Sequence, residues 1–208
     1  MRRLLIYGDS NSFGTAPSRL LHEDAVQPPG MRWGDVAAAE LGAAWDVVVE
    51  GLPGRTAVLD DPIEGAYRNG LTVMPAIVFS HRPIEIMAIC LGTNDQKARF
   101  GLGAQDIALG LACLAREALA TGAVGQVLLI APPPLQERGA LAEMFAGAPA
   151  RAAGLADHLA REAEVEGAAF FDAGTVIEVD PLDGVHWSAD AHATLGHAVA
   201  KRVAELAR

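Results

Sequence analysis

The stretch LLIYGDS, residues 4–10, decides the fold class predicted for this chain. A short, nearly continuous apolar run is typical of a strand that is covered on both faces, as in a parallel sheet. Gly8 ends the run, so Ser10 is expected on the tight turn just beyond the first strand. Functional loops of parallel α/β proteins gather at the carboxyl ends of the strands. Ser10 is therefore a candidate functional residue.

Strand-like runs recur along the chain, and helical patterns lie between them. The five runs cover residues 3–8, 45–50, 84–91, 126–131 and 168–171. Apolar residues at helical spacing mark helices within residues 33–41, 107–118 and 195–206, the last with Ser188 as its N-cap. A helix at 69–80 must hold Pro75 in its first turn or be kinked by it. The alternation predicts an α/β fold with three α/β/α layers around a five-stranded, mostly parallel sheet, as one domain over residues 1–208.

Composition and charge limit the possible functions. The chain has 208 residues, of which 51% are hydrophobic, enough for one domain with a sizeable core. Its net charge is −10 and no cluster of lysine and arginine compensates it, which weighs against a nucleic-acid partner. The apolar stretch after the first residues is too short for a signal peptide, and none reaches the ~20 residues of a membrane span. We expect a cytoplasmic protein that does not bind membranes.

A late Asp-x-x-His motif supplies two partners for the serine. A serine hydroxyl is a weak nucleophile until a base removes its proton, and His186 is the candidate base. Asp183, three residues earlier, can reach the other ring nitrogen and fix the tautomer of the histidine. The motif alone is short and common, and a turn followed by a surface histidine would explain it. Together with Ser10 it favours a serine hydrolase.

An oxyanion intermediate needs hydrogen-bond donors that are in place before the charge forms. The candidates are the backbone N–H of Ser10, the backbone N–H of Gly54 and the side-chain amide of Asn94. Gly54 and Asn94 each follow a strand-like run, so the same sheet edge can collect them. Gly54 could equally be a turn glycine with positive φ. Asn94 could be a turn former through its side chain.

The other histidines and the cysteines are expected to be structural. His192 and His197 are rival bases, but both fall inside the last helix, with His197 on its solvated side, and their spacing of five is wrong for a zinc pair. His22 and His81 are expected in loops or on the surface. Cys90 and Cys113 are expected to be buried free thiols. No metal or other cofactor is predicted.

Four sequence blocks resemble, in order, those of the SGNH (GDSL-type) hydrolases. They are Gly8-Asp9-Ser10, Gly54, Gly92-x-Asn94-Asp95 and Asp183-x-x-His186. Further stretches resemble one subgroup, the bacterial arylesterase/acyltransferase enzymes. These are EGLxxRT at 50–56, DDP at 60–62, RNG at 68–70, LGTNDxK at 91–97, DIALG at 106–110 and FFDAG at 170–174.

The resemblance implies a flavodoxin-like SGNH fold and assigns roles to the matched residues. Ser10 would be the nucleophile, His186 the base and Asp183 its orienter, with Ser10, Gly54 and Asn94 as the oxyanion hole. It also implies a small-molecule ester as substrate, acyl transfer beside hydrolysis, and a homo-oligomer, with an octamer as one form that it suggests. Asn11 stands where the family usually has an aliphatic residue, which argues against a long-chain lipase pocket. The neighbouring residues expected to line the substrate pocket are Asn11, Phe13, Thr15, Val185 and Trp187.

Three other functions remain open from the sequence. A thioesterase or lysophospholipase and a carbohydrate acetylesterase would use the same residues. A flavodoxin-like protein could bind FMN through the hydroxyls of Ser10, Ser12 and Thr15 with the same fold class. That alternative leaves Asn94 and Asp183-x-x-His186 without a role, and a flavin would colour the protein yellow.

Overall fold

A computed structural model describes residues 1–21 and 25–208 of the chain. His22, expected in a loop or on the surface, lies outside the described residues. The strands are β1 (Arg2–Gly8), β2 (Trp45–Gly51), β3 (Ile84–Cys90), β4 (Val124–Ala131) and β5 (Ala169–Asp172). They form one sheet in the order β2-β1-β3-β4-β5, and every neighbouring pair is parallel. Each predicted strand is confirmed, with ends that shift by no more than two residues.

Helices cover both faces of this sheet. They are α1 (Ser10–Phe13), α2 (Trp33–Leu41), α3 (Gly70–His81), α4 (Ala104–Ala120), α5 (Ala148–Arg151), α6 (Leu155–Val165) and α7 (Ala189–Leu206). On β1, Leu5 and Tyr7 belong to a core cluster with residues of α3, α4 and α6. Leu4 and Ile6 belong to a second cluster with residues of α2 and α7. This alternation along the buried part of β1 gives the predicted three layers.

The structure tests the expectations for the N-cap of α7 and for the proline of α3. The hydroxyl oxygen of Ser188 accepts the N–H of Ala191 over 3.2 Å, so its N-cap role in α7 is confirmed. Pro75 lies inside α3, beyond its first turn, so the first of the two options given for it is wrong. The three helices α1, α5 and α6 were not predicted.

The strand register brings the polar loops to one edge. Gly8, the last residue of β1, pairs with Gly51 of β2 and with Cys90 of β3, so these three strands end level with one another. The first turn of α1 then packs directly on the end of β2, where a Cβ on Gly51 would lie 2.4 Å from the backbone nitrogen of Phe13. Glycine is required at this position because any side chain would displace α1.

No helix within residues 1–21 and 25–208 has both the length and the apolar character that crossing a bilayer requires. Both cysteines are free; Cys90 is buried and Cys113 partly buried.

Candidate active site

The tight turn after β1 fixes the position of Ser10. Ser10 is the first residue of α1, and the carboxylate of Asp9 caps this turn by accepting the N–H of Asn11 over 2.9 Å. Gly14 ends the helix with a φ of 93°, and its N–H donates to the carbonyl of Ser10. A single helical turn is too short to be stable alone, so these caps and the packing on β2 hold it.

Ser10, His186 and Asp183 form a hydrogen-bonded chain. The Oγ of Ser10 lies 3.2 Å from Nε2 of His186, and Nδ1 of His186 lies 2.8 Å from Oδ2 of Asp183. A carboxylate can only accept, so Nδ1 carries the proton and Nε2 is left to accept from the serine hydroxyl. Burial works to raise the pKa of Asp183, but the hydrogen bond and charge of His186 outweigh it and the pKa is lowered. Asp183 therefore stays ionised beside the imidazole.

The loop that carries the histidine is held by its own aspartate. The Oδ1 atom of Asp183 accepts the N–H groups of Val185 and His186, each over 2.9 Å. Gly184 adopts a φ of 75°, and a Cβ there would lie 2.0 Å from the carbonyl oxygen of Gln136. The glycine between the two site residues is thus needed for the loop to lie against the segment after β4.

The three expected oxyanion donors line the same cavity. Ser10, Gly54 and Asn94 all contribute to its wall, and Gly54 has a φ of 81°. The side-chain amide of Asn94 donates to the carbonyl of Arg55 over 3.1 Å and to Oδ2 of Asp9 over 3.3 Å. These two bonds fix the position of the amide beside the cavity, and an oxyanion would accept from it in place of one of them.

Arg55 connects the carboxyl ends of β1 and β2, a role that the sequence analysis did not recognise. Its Nη1 donates to the carbonyl of Gly8 over 2.9 Å and also to the carbonyl of Glu50. The guanidinium lies 4.1 Å from the ring centroid of Tyr7, a cation–π contact. Burial lowers the pKa of Arg55 from its usual range. The only sequence signal was an arginine directly after Gly54 in a stretch shared with the resembling subgroup.

Two buried aspartates join the turns of the site. Asp9 accepts the N–H of Asn11 in its own turn, and Asp95 accepts the N–H of Ala57 in the loop after β2, over 3.0 Å and 3.1 Å to its two oxygens. Burial raises the pKa of each carboxyl to about 6. Asp95 thereby joins the turn that carries Asn94 to the loop that carries Gly54.

The cavity beside Ser10 has a volume of about 540 Å³. Of the expected pocket residues, Phe13, Thr15 and Val185 line it. Asn11 and Trp187 do not, which corrects their predicted place. Asn11 is buried and donates its amide to the carbonyl of Val185 over 3.3 Å. Trp187 is 1% exposed and packs in the core against His192, with ring centroids 5.6 Å apart.

The irregular stretch after β4 lies over the same sheet edge. Leu141, Met144 and Phe145 line the cavity. The cavity wall also includes a group of charged side chains that sequence reasoning missed: Glu64, Arg68, Lys97 and Arg99.

The rival histidines lie elsewhere. His192 is fully buried in α7, and the exposed His197 lies 3.2 Å from Glu40. His81 lies 2.8 Å from a carboxylate oxygen of Glu50. Among the described residues, no group of three or more His, Cys, Asp and Glu side chains is arranged to hold a metal ion.

The fold is a parallel sheet between two layers of helices, and it places a hydrogen-bonded Ser–His–Asp chain beside an open cavity. This is the arrangement of a serine hydrolase. The chain belongs to the GDSL-like lipase/acylhydrolase family, whose model matches residues 6–195. This membership makes it a carboxylic ester hydrolase. No curated protein sequence matched the chain significantly.

Solved structures agree with the family assignment. An aryl esterase of Mycobacterium smegmatis is 35% identical over 99% of this chain and 100% of its own, with a TM-score of 0.94. A carbohydrate acetylesterase from Sinorhizobium meliloti is 36% identical over 99% of this chain and 100% of its own, with a TM-score of 0.93. A carbohydrate acetylesterase family member from the same organism is 30% identical over 100% and 99%, with a TM-score of 0.89.

Proposed function

We propose that the chain hydrolyses short-chain carboxylic esters, acetyl and aryl esters above all, through an acyl intermediate on Ser10. The observation that carries this proposal is the hydrogen-bonded chain from Ser10 through His186 to Asp183 at the wall of a cavity that also presents Gly54 and Asn94. The named activities of the similar structures, aryl esterase and carbohydrate acetylesterase, support the ester class.

The geometry leads to a two-step reaction. Nε2 of His186 takes the hydroxyl proton while Oγ of Ser10 bonds to the ester carbonyl carbon. The carbonyl oxygen becomes an oxyanion, which the N–H groups of Ser10 and Gly54 and the amide of Asn94 stabilise. The carbon–oxygen bond to the alcohol then breaks, and His186 returns the proton to the leaving alcohol. Water attacks the acyl-serine by the same steps and releases the acid.

Asp183 orients the imidazole and stabilises its charge while the proton is held on Nε2. The lowered pKa of this carboxyl keeps it ionised, so it accepts from Nδ1 throughout the cycle. No proton needs to pass to Asp183 for the reaction to run.

The cavity wall favours esters of aromatic alcohols over esters of other alcohols. Several large apolar side chains line the cavity and are at least one-third exposed; they are Phe13, Leu20, Leu21, Val26 and Ile63. An aromatic leaving group would remove this surface from water. The charged side chains of the cavity wall favour a second candidate, a sugar acetate, whose hydroxyls could bind to Glu64, Arg68 and Arg99.

A panel of p-nitrophenyl esters from acetyl to palmitoyl, beside peracetylated glucose and palmitoyl-CoA, tests the substrate class. We expect the highest kcat/KM for acetyl or propionyl aryl esters and a steep fall with longer chains. A maximum at palmitoyl would instead favour the thioesterase or lysophospholipase alternative. Faster release of acetate from the sugar than from the aryl ester would favour the carbohydrate acetylesterase.

We also propose that the protein assembles as a homo-oligomer, up to an octamer, and that it works in the cytoplasm. The exposed apolar residues at the cavity mouth support the first point, since Ile63 is 73% exposed and Leu20 is 67% exposed. A neighbouring copy that covers them would narrow the entrance. Light scattering that gives the mass of one 21.7 kDa chain at micromolar concentration would contradict the oligomer.

A further inference from the structure

Five charged side chains form a connected ion network between the loop after β2 and the turn after β3. The carboxylate of Glu64 is its centre, 2.7 Å from Nζ of Lys97 and in contact with the guanidinium groups of Arg68 and Arg99. Asp61 lies 2.8 Å from Nη2 of Arg99 and 3.5 Å from Nζ of Lys97. Three cations therefore share two carboxylates at the cavity wall.

The middle of this ion network is buried. The side chain of Asp61 is 0% exposed and that of Lys97 is 2% exposed. Burial works to raise the pKa of Asp61, but the N–H groups of Glu64 and Ile63 and the nearby cations lower it to about 2. Buried ion pairs often stabilise a fold no better than apolar residues of similar volume would. Their directional hydrogen bonds do fix the positions of the groups that they join.

The ion network contacts both of the loops that carry the expected oxyanion donors. A Cβ on Gly54 would lie 2.0 Å from Nη1 of Arg68 and 2.7 Å from Oε2 of Glu64, so this pair rests directly on the glycine. On the other side, Lys97 closes the turn that begins at Asn94, because its N–H donates to the carbonyl of Asn94 over 3.2 Å. Glu64 therefore contacts both Arg68, which packs on Gly54, and Lys97, which lies in the turn that begins at Asn94.

We infer that Glu64 is a positioning residue that sets the spacing between the N–H of Gly54 and the amide of Asn94. This inference rests on the proposed function, in which both groups stabilise the oxyanion. The carbonyl oxygen gains its negative charge only on the way to the transition state, so a misplaced donor lowers kcat far more than it changes substrate binding. A misplacement of about 1 Å can cost roughly 100-fold in rate.

The variant Glu64→Gln keeps the shape of the side chain and removes its charge. We expect kcat for p-nitrophenyl acetate to fall at least about tenfold, with KM changed less than about threefold. Rates are referred to the active-site concentration, titrated with a fluorophosphonate, so that partial unfolding does not contribute. The matched control is Glu166→Gln, which removes the ion pair with Arg116, at 2.9 Å, away from the cavity and should leave kcat within about twofold.

Glu64→Gln leaves the ion network with excess positive charge. This separates the effect of the network's electric field from its effect on the positions of the oxyanion donors. If the ion network acted only through its electric field, the extra positive charge would stabilise the oxyanion and raise kcat. Positioning predicts the opposite sign. A kcat for Glu64→Gln that is unchanged or raised therefore overturns the inference.

A double-mutant cycle with Asn94→Ala tests whether Glu64 acts through the oxyanion donors. We expect the double variant to lose at least about fivefold less activity than the product of the two single losses, because the donor that Glu64 positions is already absent. Losses that multiply within about twofold overturn the inference. If Glu64→Gln does not fold, Arg68→Lys takes its place, with the same expected fall in kcat and the same coupling to Asn94→Ala; because this variant keeps the charge, such a fall reports geometry and not the electric field. Failure of the proposed function is separate, since Ser10→Ala would then keep its activity.

Discussion

The Nδ1 atom of His192 accepts a hydrogen bond from the backbone N–H of Trp33 over 3.2 Å, which joins α7 to the start of α2. This bond places the proton of the neutral ring on Nε2, a buried atom with no hydrogen-bond partner in residues 1–21 and 25–208. His192 is therefore a core residue, and neither of its ring nitrogens is hydrogen-bonded to Ser10. The variant His192→Asn, whose side-chain oxygen can still accept from Trp33, should keep esterase activity within about threefold of the wild type. Initial rates with p-nitrophenyl acetate check this, and a His192→Asn enzyme as inactive as His186→Ala would contradict the assignment of the base.

The same histidine predicts a pH dependence of stability. Burial, followed by the positive charges of His186 and Arg32, lowers the pKa of His192 to about 4 from an ordinary 6.5, while Asp35 opposes this. Between these values the unfolded chain binds more protons at this site than the folded one, so the free energy of unfolding falls as pH decreases from 6.5 to 4. The loss attributable to His192 should approach about 3 kcal/mol.

Urea unfolding at several pH values between 4 and 7 measures this loss, with His192→Asn as the comparison. Asp9 and Asp95, whose pKa values burial raises to about 6, act in the opposite direction but are present in both proteins. The difference between the two stability curves therefore reports His192 alone. Parallel curves for the two proteins would show that the buried ring is not what titrates.

Removal of the side-chain amide at Asn94 should slow the chemical step. We expect Asn94→Ala to lower kcat by roughly 10²–10³-fold with a smaller change in KM, as for the loss of one oxyanion donor. Steady-state kinetics with p-nitrophenyl acetate give both constants. A loss that appeared mainly in KM would mean that Asn94 binds the ground state of the substrate instead.

Acyl transfer should accompany hydrolysis because the acyl-Ser10 intermediate can react with any nucleophile held beside it. Apolar side chains at the cavity wall, such as Phe13 and Val185, favour an organic alcohol over water there. With vinyl acetate and benzyl alcohol in buffer, benzyl acetate should form and increase with alcohol concentration. Ser10→Ala is the control for uncatalysed transfer. Free acetate that accounts for every acyl group released, at all alcohol concentrations, would make the enzyme a plain esterase.

The strands and the outline of the site could be predicted because their signals are local. The central strands β1, β3 and β4 are apolar runs that are mostly buried, and the edge strands β2 and β5 are shorter apolar runs that are partly buried. Ser10, Asn94 and the aspartate–histidine pair lie just past such runs or just before a helix. The buried residues of the unpredicted α6, Leu155, Leu159 and Ala163, are four positions apart among charged residues, so its helical pattern was present in the sequence and was missed. The single turn α1 is held by packing that periodicity does not record.

The ion network could not be predicted because its partners are far apart in sequence. Glu64 and Lys97 are 33 positions apart, and charged residues are exposed in most proteins. Asn11 and Trp187 were misplaced for a related reason. Proximity in sequence to Ser10 and His186 says nothing about which face of the turn a side chain occupies, and both side chains point into the protein interior.

The turnover of Ser10→Ala tests the central claim most directly. Folded Ser10→Ala, verified by an unfolding midpoint near that of the wild type, should hydrolyse p-nitrophenyl acetate at least about 10³-fold more slowly, because the nucleophile and its base act as a unit. Intact-protein mass spectrometry of the wild type after brief exposure to a fluorophosphonate should show one adduct, and mass spectrometry of a digest should place it on the peptide that contains Ser10. Near-normal hydrolysis by Ser10→Ala would contradict the account, since no acyl-Ser10 intermediate could then form.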